Sequence, residues 1–394
     1  MSNGKLGDYN NCTGCEACFN KCNFNAIKLE KNYEGFYYPK IDENKCANCG
    51  MCLKVCPAIN NQIKNTFSVP TVFAAWNKDK YIRDTSSSGG IFSSLAINIL
   101  NDGGVVYGAI FNDELIVQHC RIDTIDGLDK MKGSKYVQSI IGDIFLNVRE
   151  DLNNNRSVLF TGVPCQVAGL YGYLERDYET LVTCELLCHG VPSPGVFEKH
   201  KRFIEKKYDS KINEFKFRYK TKERSQNIHI KFDNGMVYHT ENPMEDYYYS
   251  GFQSGVILRE SCYSCKYVGI KRYADITLGD FWGLSSDVMN KVNFGAFPSL
   301  VLLNSNKGIN LWNMVNNNLV YEERNIKEAV AGNLHFRRSI PKSKYREAFF
   351  KEYQQLNYSV VAEKYLLNHK NYKDVIKKFI GPKVTKWLIK VLKR

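Results

Sequence analysis

The hydrophobic pattern between residues 71 and 240 changes repeatedly from short apolar runs to the longer period of amphipathic helices. The runs TVFAAW, VVYGAIF and LVTCELL predict buried strands, whereas IFSSLAINIL predicts a helix that ends at Asn101–Gly103. Another helix is predicted to begin after Ser193, a favourable N-cap, with Pro194 in its first turn. The pair Asn234–Gly235 predicts a hairpin. These elements indicate an α+β or mixed α/β body, and it contains no G-x-G-x-x-G fingerprint of a Rossmann fold.

The first 60 residues follow a different pattern, in which cysteines dominate. Residues 12–22 and 46–56 both have C-x2-C-x2-C-x3-C spacing, which is typical of bacterial two-cluster ferredoxins. In such a repeat the first three thiolates bind one cluster and the fourth reaches the other. We therefore assign one 4Fe-4S cluster to Cys12, Cys15, Cys18 and Cys56, and the second to Cys22, Cys46, Cys49 and Cys52. Two zinc sites are the alternative, but zinc rarely uses this spacing twice. Between the motifs, AIKLEKNYEGFYYPKI predicts two short strands.

Composition supports a globular protein that handles metals. The chain of 394 residues is 44% hydrophobic and 24% charged, and no apolar run is long enough to span a bilayer. The amino-terminal residues have no apolar segment of the kind that directs secretion, so we expect a cytoplasmic protein. Thiols stay reduced in that compartment, so most of the fourteen cysteines indicate metal binding or catalysis rather than disulfides.

The net charge of +13 is concentrated in the last 25 residues, which hold nine lysines or arginines and one acid. This uneven distribution argues against a nucleic-acid-binding surface over the whole protein. Residues 382–394 form a basic amphipathic pattern that predicts a helix able to contact a membrane surface or an acidic partner. The alternative is a helix that packs on the protein's own body.

The body contains several candidate site residues. SSSGG at 86–90 precedes a predicted helix, where hydroxyls and free amides suit phosphate, although composition alone favours a serine-rich cap. KGSKY at 132–136 offers groups for phosphate and ring contacts, or an exposed loop. Four further cysteines follow predicted strands or form a lone C-x-x-C, and could close a third 4Fe-4S cluster or a zinc site: Cys165, Cys188, Cys262 and Cys265. Cys120 and Cys184 lie in apolar strand patterns and are expected to be buried structural thiols.

The order SSSGG, KGSKYVQS, GVPCQVAGL, CHGVPS, CYSCKY and ADITLGDFWG resembles the beta-subunit family of coenzyme F-420-reducing hydrogenase and the related formate dehydrogenases. The resemblance covers roughly residues 1–310. It implies FAD, iron–sulfur clusters and, in methanogen members, a site for the deazaflavin coenzyme. Its relatives include chlorophyll-pathway reductases and bacterial proteins associated with surface-polysaccharide genes.

The resemblance also implies where the cofactors bind. It favours a third 4Fe-4S cluster, rather than zinc, on the four cysteines of the body. It places the flavin around Ser87, Ser88, Gly89, Gly90, Gly133, Ser134, Lys135 and Tyr136, with Gly162 and Pro164 close by. The expected domains are the ferredoxin domain 1–60, two beta-subunit regions at 71–150 and 151–315, and a helical basic tail at 316–394.

These cofactors together predict hydride exchange at a flavin and single-electron flow through clusters to a partner protein. Lys135 would stabilise reduced flavin or bind a phosphate. His189 would either deliver a proton or, as the simpler role, donate a hydrogen bond beside the third cluster. Phe281 and Trp282 would wall the flavin ring or lie in the core. The alternatives are a non-catalytic electron relay and a polysaccharide-pathway reductase that does not use deazaflavin.

Overall fold

The computed structural model describes residues 6–60, 66–220, 227–284 and 298–367. The basic helix predicted at 382–394 lies outside these ranges. Within them, no helix is both long enough and apolar enough to cross a membrane.

The amino-terminal segment is a small ferredoxin-like unit. Its two strands, β1 (Ile27–Lys31) and β2 (Tyr37–Ile41), pair antiparallel, as the sequence predicted. Each cysteine motif contains one short helix, α1 (Ala17–Lys21) or α2 (Met51–Lys54).

The body is built on one eight-stranded mixed sheet. Its strands are β3 (Thr71–Asn77), β4 (Val105–Phe111), β5 (Val117–Ile122), β6 (Val158–Gly162), β7 (Leu181–Leu186), β11 (Ile276–Asp280), β12 (Ser299–Leu303) and β13 (Leu319–Arg324). They lie in the order β13-β3-β12-β11-β7-β6-β4-β5. The four central strands β4, β6, β7 and β11 are parallel, and the pairs outside them are antiparallel. The carboxyl ends of the central strands therefore meet at one edge of the sheet, where open α/β sheets bind ligands.

Helices cover both faces of this sheet. The helices in sequence before the second sheet are α3 (Lys80–Thr85), α4 (Ile91–Asn101), α5 (Leu128–Met131), α6 (Ile144–Asn153), α7 (Pro164–Leu174) and α8 (Pro194–Tyr208). On one face, Leu95 of α4 packs in a core with Phe73 and Trp312, whose rings stack at 4.9 Å. On the other face, Phe145 of α6 packs with Phe160 of β6.

A second layer lies beside the sheet. It contains the three-stranded antiparallel sheet of β8 (Ile212–Tyr219), β9 (Asn227–Phe232) and β10 (Val237–His239), and the helix α9 (Tyr247–Gln253). The helices α10 (Asn306–Val315) and α11 (Ile326–Gly332) follow in the chain but pack on the large sheet. The last helices, α12 (Arg346–Tyr353) and α13 (Tyr358–Tyr365), belong to the second layer again. Aromatic side chains of β8, α8, α9 and α12 fill one core between these elements. The predicted hairpin is confirmed, with Gly235 at φ 83° in the turn.

Most predicted elements are confirmed, and two predictions need correction. Ser193 caps α8 by accepting a hydrogen bond from the Val196 amide. However, the stretch after residue 315 is not only helical, because β13 joins the sheet before the last helices begin. Cys184 is fully buried, whereas Cys120 on the edge strand β5 is only partly buried, because an edge strand has a neighbour on one side only.

The amino-terminal segment is packed tightly against the body. The Cα atom of Gly195 lies 2.6 Å from where a Cβ atom on Gly35 would be, so the two backbones are in contact. Glu34 and Arg346 form a buried bidentate ion pair, with both N–O distances 2.7 Å. The segment and the body therefore form one packed unit, and cofactor sites on either side of this contact are held at fixed separations.

Candidate functional site

The two glycine- and serine-containing loops lie together. Ser87 Oγ accepts hydrogen bonds from the amide and the hydroxyl of Ser134, at 2.8 and 3.0 Å. None of the serines in SSSGG caps α4, because its N-cap is Gly90 at φ 85° and has no side-chain hydrogen bond. The alternative interpretation of SSSGG as a serine-rich cap is therefore wrong, and the loop contacts KGSKY instead.

A cavity of about 640 Å³ opens beside these loops. It lies at the carboxyl ends of the central parallel strands, with Gly108, Thr161 and Leu278 among its walls. Its volume falls within the range of about 300–1,000 Å³ that is usual for small-molecule and cofactor sites. The residues predicted to contact flavin that line it are Ser87, Ser88, Gly90, Gly133, Ser134, Lys135, Tyr136 and Gly162.

Two of the predicted flavin residues lie elsewhere. Gly89 packs against β3, because its carbonyl accepts from Asn77 and a Cβ atom there would lie 2.5 Å from the Ala75 carbonyl oxygen. Pro164 begins α7 and faces a smaller neighbouring cavity. Both positions therefore shape the loops without lining the large cavity.

Lys135 is held by its own loop. Its Nζ donates to the carbonyl oxygens of Met131, Lys132 and Gly133, at 3.1, 2.9 and 3.1 Å. Burial lowers the pKa of Lys135 to about 7. All three hydrogen bonds that an ammonium can donate are thus used to close the turn after α5.

Several polar atoms on the cavity wall have no hydrogen-bond partner among the described residues. They include Ser88 Oγ, Gln138 Nε2 and His189 Nε2. Buried polar atoms normally have partners, and those that lack one indicate where a bound molecule supplies it. Tyr136, which stacks on Phe252 at 4.6 Å, adds an aromatic surface to the same wall.

The four body cysteines come together beside this cavity. They line a second cavity of about 50 Å³, and two of them, Cys165 and Cys188, line the large cavity as well. We call the set the third cysteine group, which consists of Cys165, Cys188, Cys262 and Cys265. Burial raises the pKa of Cys165 well above its usual value, and the thiols of Cys188, Cys265 and Cys262 raise it further.

Backbone and cationic groups surround the third cysteine group. The amide of Val191 donates to Cys262 Sγ at 3.3 Å, and that of Tyr267 donates to Cys265 Sγ at 3.4 Å. Burial raises the pKa of Cys265, and the Tyr267 amide and the fully buried Arg272, which pairs with Glu185, offset part of that rise. Amide donors and a nearby guanidinium stabilise thiolates over thiols, as metal–sulfur ligands require.

His189 separates the two cavities. Its Nδ1 lies 3.3 Å from His335 Nε2, and its ring contacts the edge of Phe252. Burial, with a smaller contribution from His335, lowers the pKa of His189 to about 4. Its imidazole is therefore neutral at pH 7.

The amino-terminal cysteines form two sets with different surroundings. In the inner group, burial, with smaller contributions from the thiols of Cys56 and Cys12, raises the pKa of Cys15 to about 12. The inner group is Cys12, Cys15, Cys18 and Cys56. In the outer group, burial raises the pKa of Cys52, and the thiols of Cys22 and Cys49 also contribute to that rise. The outer group is Cys22, Cys46, Cys49 and Cys52.

The inner group contacts the body and approaches the third cysteine group. A Cβ atom on Gly169 of α7 would lie 2.9 Å from Cys15 Sγ, so this thiol lies against the helix that begins next to Cys165. Cys15 is also among the thiols that raise the pKa of Cys165. The large cavity, the third cysteine group and the inner group therefore follow one another in space.

Phe281 and Trp282 follow β11, and one lies in the core while the other lines the cavity. Phe281 is buried in a core with Leu300 and Phe336. Trp282 lines the large cavity and is 39% exposed. Only Trp282 therefore lies where it could wall a ligand.

Several residues of the site were not predicted from the sequence. Arg259 donates to the carbonyl oxygen and Sγ of Cys12, at 2.6 and 3.3 Å, and Arg272, Gln138, His335 and Arg218 line one or both cavities. Most of their partners are distant in the chain, so local spacing does not mark them. The available signals were the position of Arg259, three residues before Cys262, and that of Gln138 within KGSKYVQS.

Across the described ranges of the chain, no set of three or more histidine, cysteine or acidic side chains is arranged to hold a metal ion. An iron–sulfur cluster is wider than one ion, because bridging sulfides lie between its irons.

Two segments of the chain match known protein families. Residues 155–329 match the family model that describes the carboxyl terminus of the beta subunit in coenzyme F420 hydrogenase/dehydrogenase. Residues 11–59 match that of the 4Fe-4S dicluster domain, which implies two 4Fe-4S clusters. The search of curated proteins gives no match.

Among solved structures, the chain is similar to one from the xenon-derivatised F420-reducing NiFe hydrogenase complex of Methanosarcina barkeri. The identity is 18%, the TM-score is 0.45, and the match covers 79% of this chain and 93% of that chain. The two family matches are the basis for the assignment. The chain therefore joins a 4Fe-4S dicluster domain to the carboxyl-terminal domain of the coenzyme F420 hydrogenase/dehydrogenase beta subunits, a family of electron-transfer oxidoreductases.

Proposed function

We propose that this protein is an iron–sulfur flavoenzyme that exchanges hydride with coenzyme F420 or a similar carrier and passes single electrons to a partner protein. One observation carries the proposal. Cys165 and Cys188 belong to a four-cysteine group and also line the large cavity, so a molecule in that cavity would lie against the group.

The large cavity fits a flavin chemically. Flavin, when bound, accepts hydride and releases electrons one at a time. Ser88 Oγ and Gln138 Nε2 have no described partners and would receive its polar atoms, while Tyr136 and Trp282 offer aromatic surfaces to its rings. Gly133 and Ser134 would hold it from the opposite loop, which Lys135 keeps closed through its three carbonyl contacts.

The third cysteine group fits a 4Fe-4S cluster between the cavity and the ferredoxin segment. Its four thiols surround a small cavity, and two backbone amides and the Arg272 guanidinium favour their thiolate forms. Arg272 would also offset negative charge on a cluster. His189, which is neutral at pH 7, would donate or accept a hydrogen bond at the cavity wall rather than act as a cationic acid.

The inner and outer groups would conduct electrons away from the body. Cys15 lies against α7 next to the third group, whereas Cys49 of the outer group is exposed. We therefore expect a one-electron partner to dock at the outer group and a hydride carrier to enter the large cavity. The comparisons give no support for a role in surface-polysaccharide synthesis.

The proposal is tested by purifying the protein without oxygen and measuring iron, sulfide, zinc and flavin per chain. We expect about twelve irons and one FAD. Reduced coenzyme F420 and NADH are then added separately, and bleaching of the flavin identifies the carrier. About eight irons, one zinc and no flavin would contradict the proposal and leave a relay whose chemistry belongs to its partner.

A matched pair of variants tests the third group directly. Cys265→Ser should lower the iron content by about four per chain, because one cluster loses a ligand. Cys120→Ser is the control, since Cys120 is only partly buried on β5 and does not line either cavity. An equal loss of iron in both variants would indicate general instability rather than a cluster at this group.

A further inference from the structure

Arg218 is a cation on the wall of the large cavity, and the proposed roles of the SSSGG and KGSKY loops and of the third cysteine group do not account for it. It lies on β8, and its side chain is only 6% exposed. Its Nη1 donates to Asp280 Oδ2 at 2.6 Å, whereas Nε and Nη2 have no partner at hydrogen-bond distance among the described residues. The Tyr136 side chain lies close by, since burial raises its pKa and Arg218 offsets part of that rise. A buried guanidinium with two free donors is costly unless a ligand accepts them.

The carboxylate of Asp280 uses only one side of the guanidinium fork. The remaining donors, Nε and Nη2, lie on one edge of the planar group and match two oxygens of a phosphate or a carboxylate. Asp280 lines the same cavity, so the ion pair holds Arg218 at the wall.

The surroundings of Arg218 favour an anionic ligand that also has an aromatic part. Lys220, two residues further along the chain, donates to the carbonyl oxygens of Arg83 and Ser88, each at 2.6 Å. This contact joins the end of β8 to the SSSGG loop. Tyr249 and the partly exposed Trp282 line the cavity near the same end of the sheet.

We propose that Arg218 is the recognition residue for an oxyanion, a phosphate or carboxylate, on the molecule that occupies the large cavity. The oxyanion is either the phosphate of the flavin or the anionic portion of the hydride carrier. The inference deepens the proposed function and rests on it for the identity of these two sources. The oxyanion site itself rests only on Arg218, Asp280 and the cavity.

The first experiment probes the site after bound flavin has been removed. Inorganic pyrophosphate is titrated calorimetrically into the flavin-free full-length protein and three variants. Arg218→Gln should weaken binding by at least about tenfold, and Arg218→Lys should weaken it less, since a lysine keeps the charge but loses the fork. Asp280→Asn keeps an acceptor for Arg218 Nη1 but removes the competing negative charge, so it should tighten binding. Equal affinity in wild type and Arg218→Gln would overturn the inference.

The second experiment identifies the source of the oxyanion. Riboflavin, FMN and FAD are titrated into wild type and Arg218→Gln, with flavin fluorescence as the readout. If Arg218→Gln binds FMN and FAD more weakly but riboflavin with unchanged affinity, Arg218 contacts the flavin phosphate. The alternative outcome is that Arg218→Gln binds all three flavins with unchanged affinity. If it then binds coenzyme F420 about tenfold more weakly and a phosphate-free deazaflavin with unchanged affinity, Arg218 contacts the carrier.

A third result would contradict the inference, namely equal weakening of probes with and without an oxyanion, which would show only a distorted cavity. The proposed function fails differently, by the absence of flavin and of the third cluster from wild type. In that case the pyrophosphate titration still decides whether Arg218 binds oxyanions.

Discussion

The two cysteine motifs of the amino-terminal segment have the same spacing but opposite surroundings. In the first, the residue after the second cysteine is Glu16, and in the second it is Gly50. Both adopt a left-handed backbone, at φ 62° and 72°. Glu16 is buried and accepts hydrogen bonds from the amides of Ile141 and Gly142, at 3.1 and 2.8 Å, whereas no atom lies within 4 Å of where a Cβ atom on Gly50 would be.

This difference explains how one ligand pattern can serve two purposes. Left-handed backbone costs about 1–2 kcal/mol for a residue other than glycine, so Glu16 is retained there for its contacts with the body. The inner group is consequently enclosed, with Cys15 and Cys18 buried, while Cys49 of the outer group is exposed. Cysteine spacing selects the kind of cofactor, and the surrounding fold determines its potential and its access to partners.

The largest expected effect comes from removing one ligand of each group. Cys15→Ser should abolish reduction of the outer cluster by the hydride carrier, because the inner cluster lies between the cavity and the outer group. Cys49→Ser should remove the outer cluster but leave the inner one reducible. Electron paramagnetic resonance after addition of the carrier distinguishes the two, and continued reduction of the outer cluster in Cys15→Ser would contradict this series.

Oxidative removal of the clusters should also separate the two groups. The outer cluster should be lost first on treatment with ferricyanide and a chelator, since Cys49 is exposed while the body covers Cys15 and Cys18. The iron content followed with time should therefore fall in two phases. A single phase that removes both signals together would show that burial does not protect the inner group.

A smaller effect is expected at Arg259, which donates to Cys12 Sγ and has no counterpart in the outer group among the described contacts. Arg259→Gln should lower the potential of the inner cluster by roughly 60 mV, equivalent to a tenfold change for one electron, because a hydrogen bond and a positive charge are lost. Redox titration of both clusters measures the shift. The outer cluster is the internal control, and Arg259→Lys should shift the inner potential less.

The smallest expected effect is on stability, and two glycine variants distinguish a loss of close packing from backbone strain. Gly169→Ala should lower the free energy of unfolding by about 1–3 kcal/mol and alter the inner cluster's signal, since its Cβ atom would contact Cys15. Gly50→Ala should cost about 1 kcal/mol through left-handed strain alone and leave that signal unchanged. Denaturant titration and spectroscopy of the two variants make the comparison, and an altered inner signal in Gly50→Ala would contradict it.

The sequence predicted ligand sets well where neighbours along the chain define them. The cysteine spacing, the N-cap at Ser193 and the turn at Gly235 all depend on residues a few positions apart, and local geometry therefore determines them. The convergence of SSSGG and KGSKY was implied only by resemblance, since Ser87 and Ser134 are far apart in the chain. Arg218 was missed because its charge is explained only by Asp280 and by a cavity that the tertiary fold creates.

For the third cysteine group too, the sequence predicted the residues but not the surroundings that the fold gives them. Its members were predicted as separate strand ends and one C-x-x-C pair, and local spacing does not specify the cofactor. The residues that favour thiolate there, Arg272 and the Val191 and Tyr267 amides, become neighbours only after the sheet and its loops have assembled.

The buried ion pair between Glu34 and Arg346 has a consequence for biosynthesis. The cysteine motifs are synthesised before the body, and the arginine that pairs with Glu34 follows it by 312 positions. At 5–20 residues per second this interval is roughly 15–60 s. Throughout it, Glu34 lacks the arginine of its ion pair, although α7, which covers Cys15, is made earlier. Cluster assembly factors thus have access to the inner motif before α7 is made, and the ion pair with Arg346 forms only afterwards.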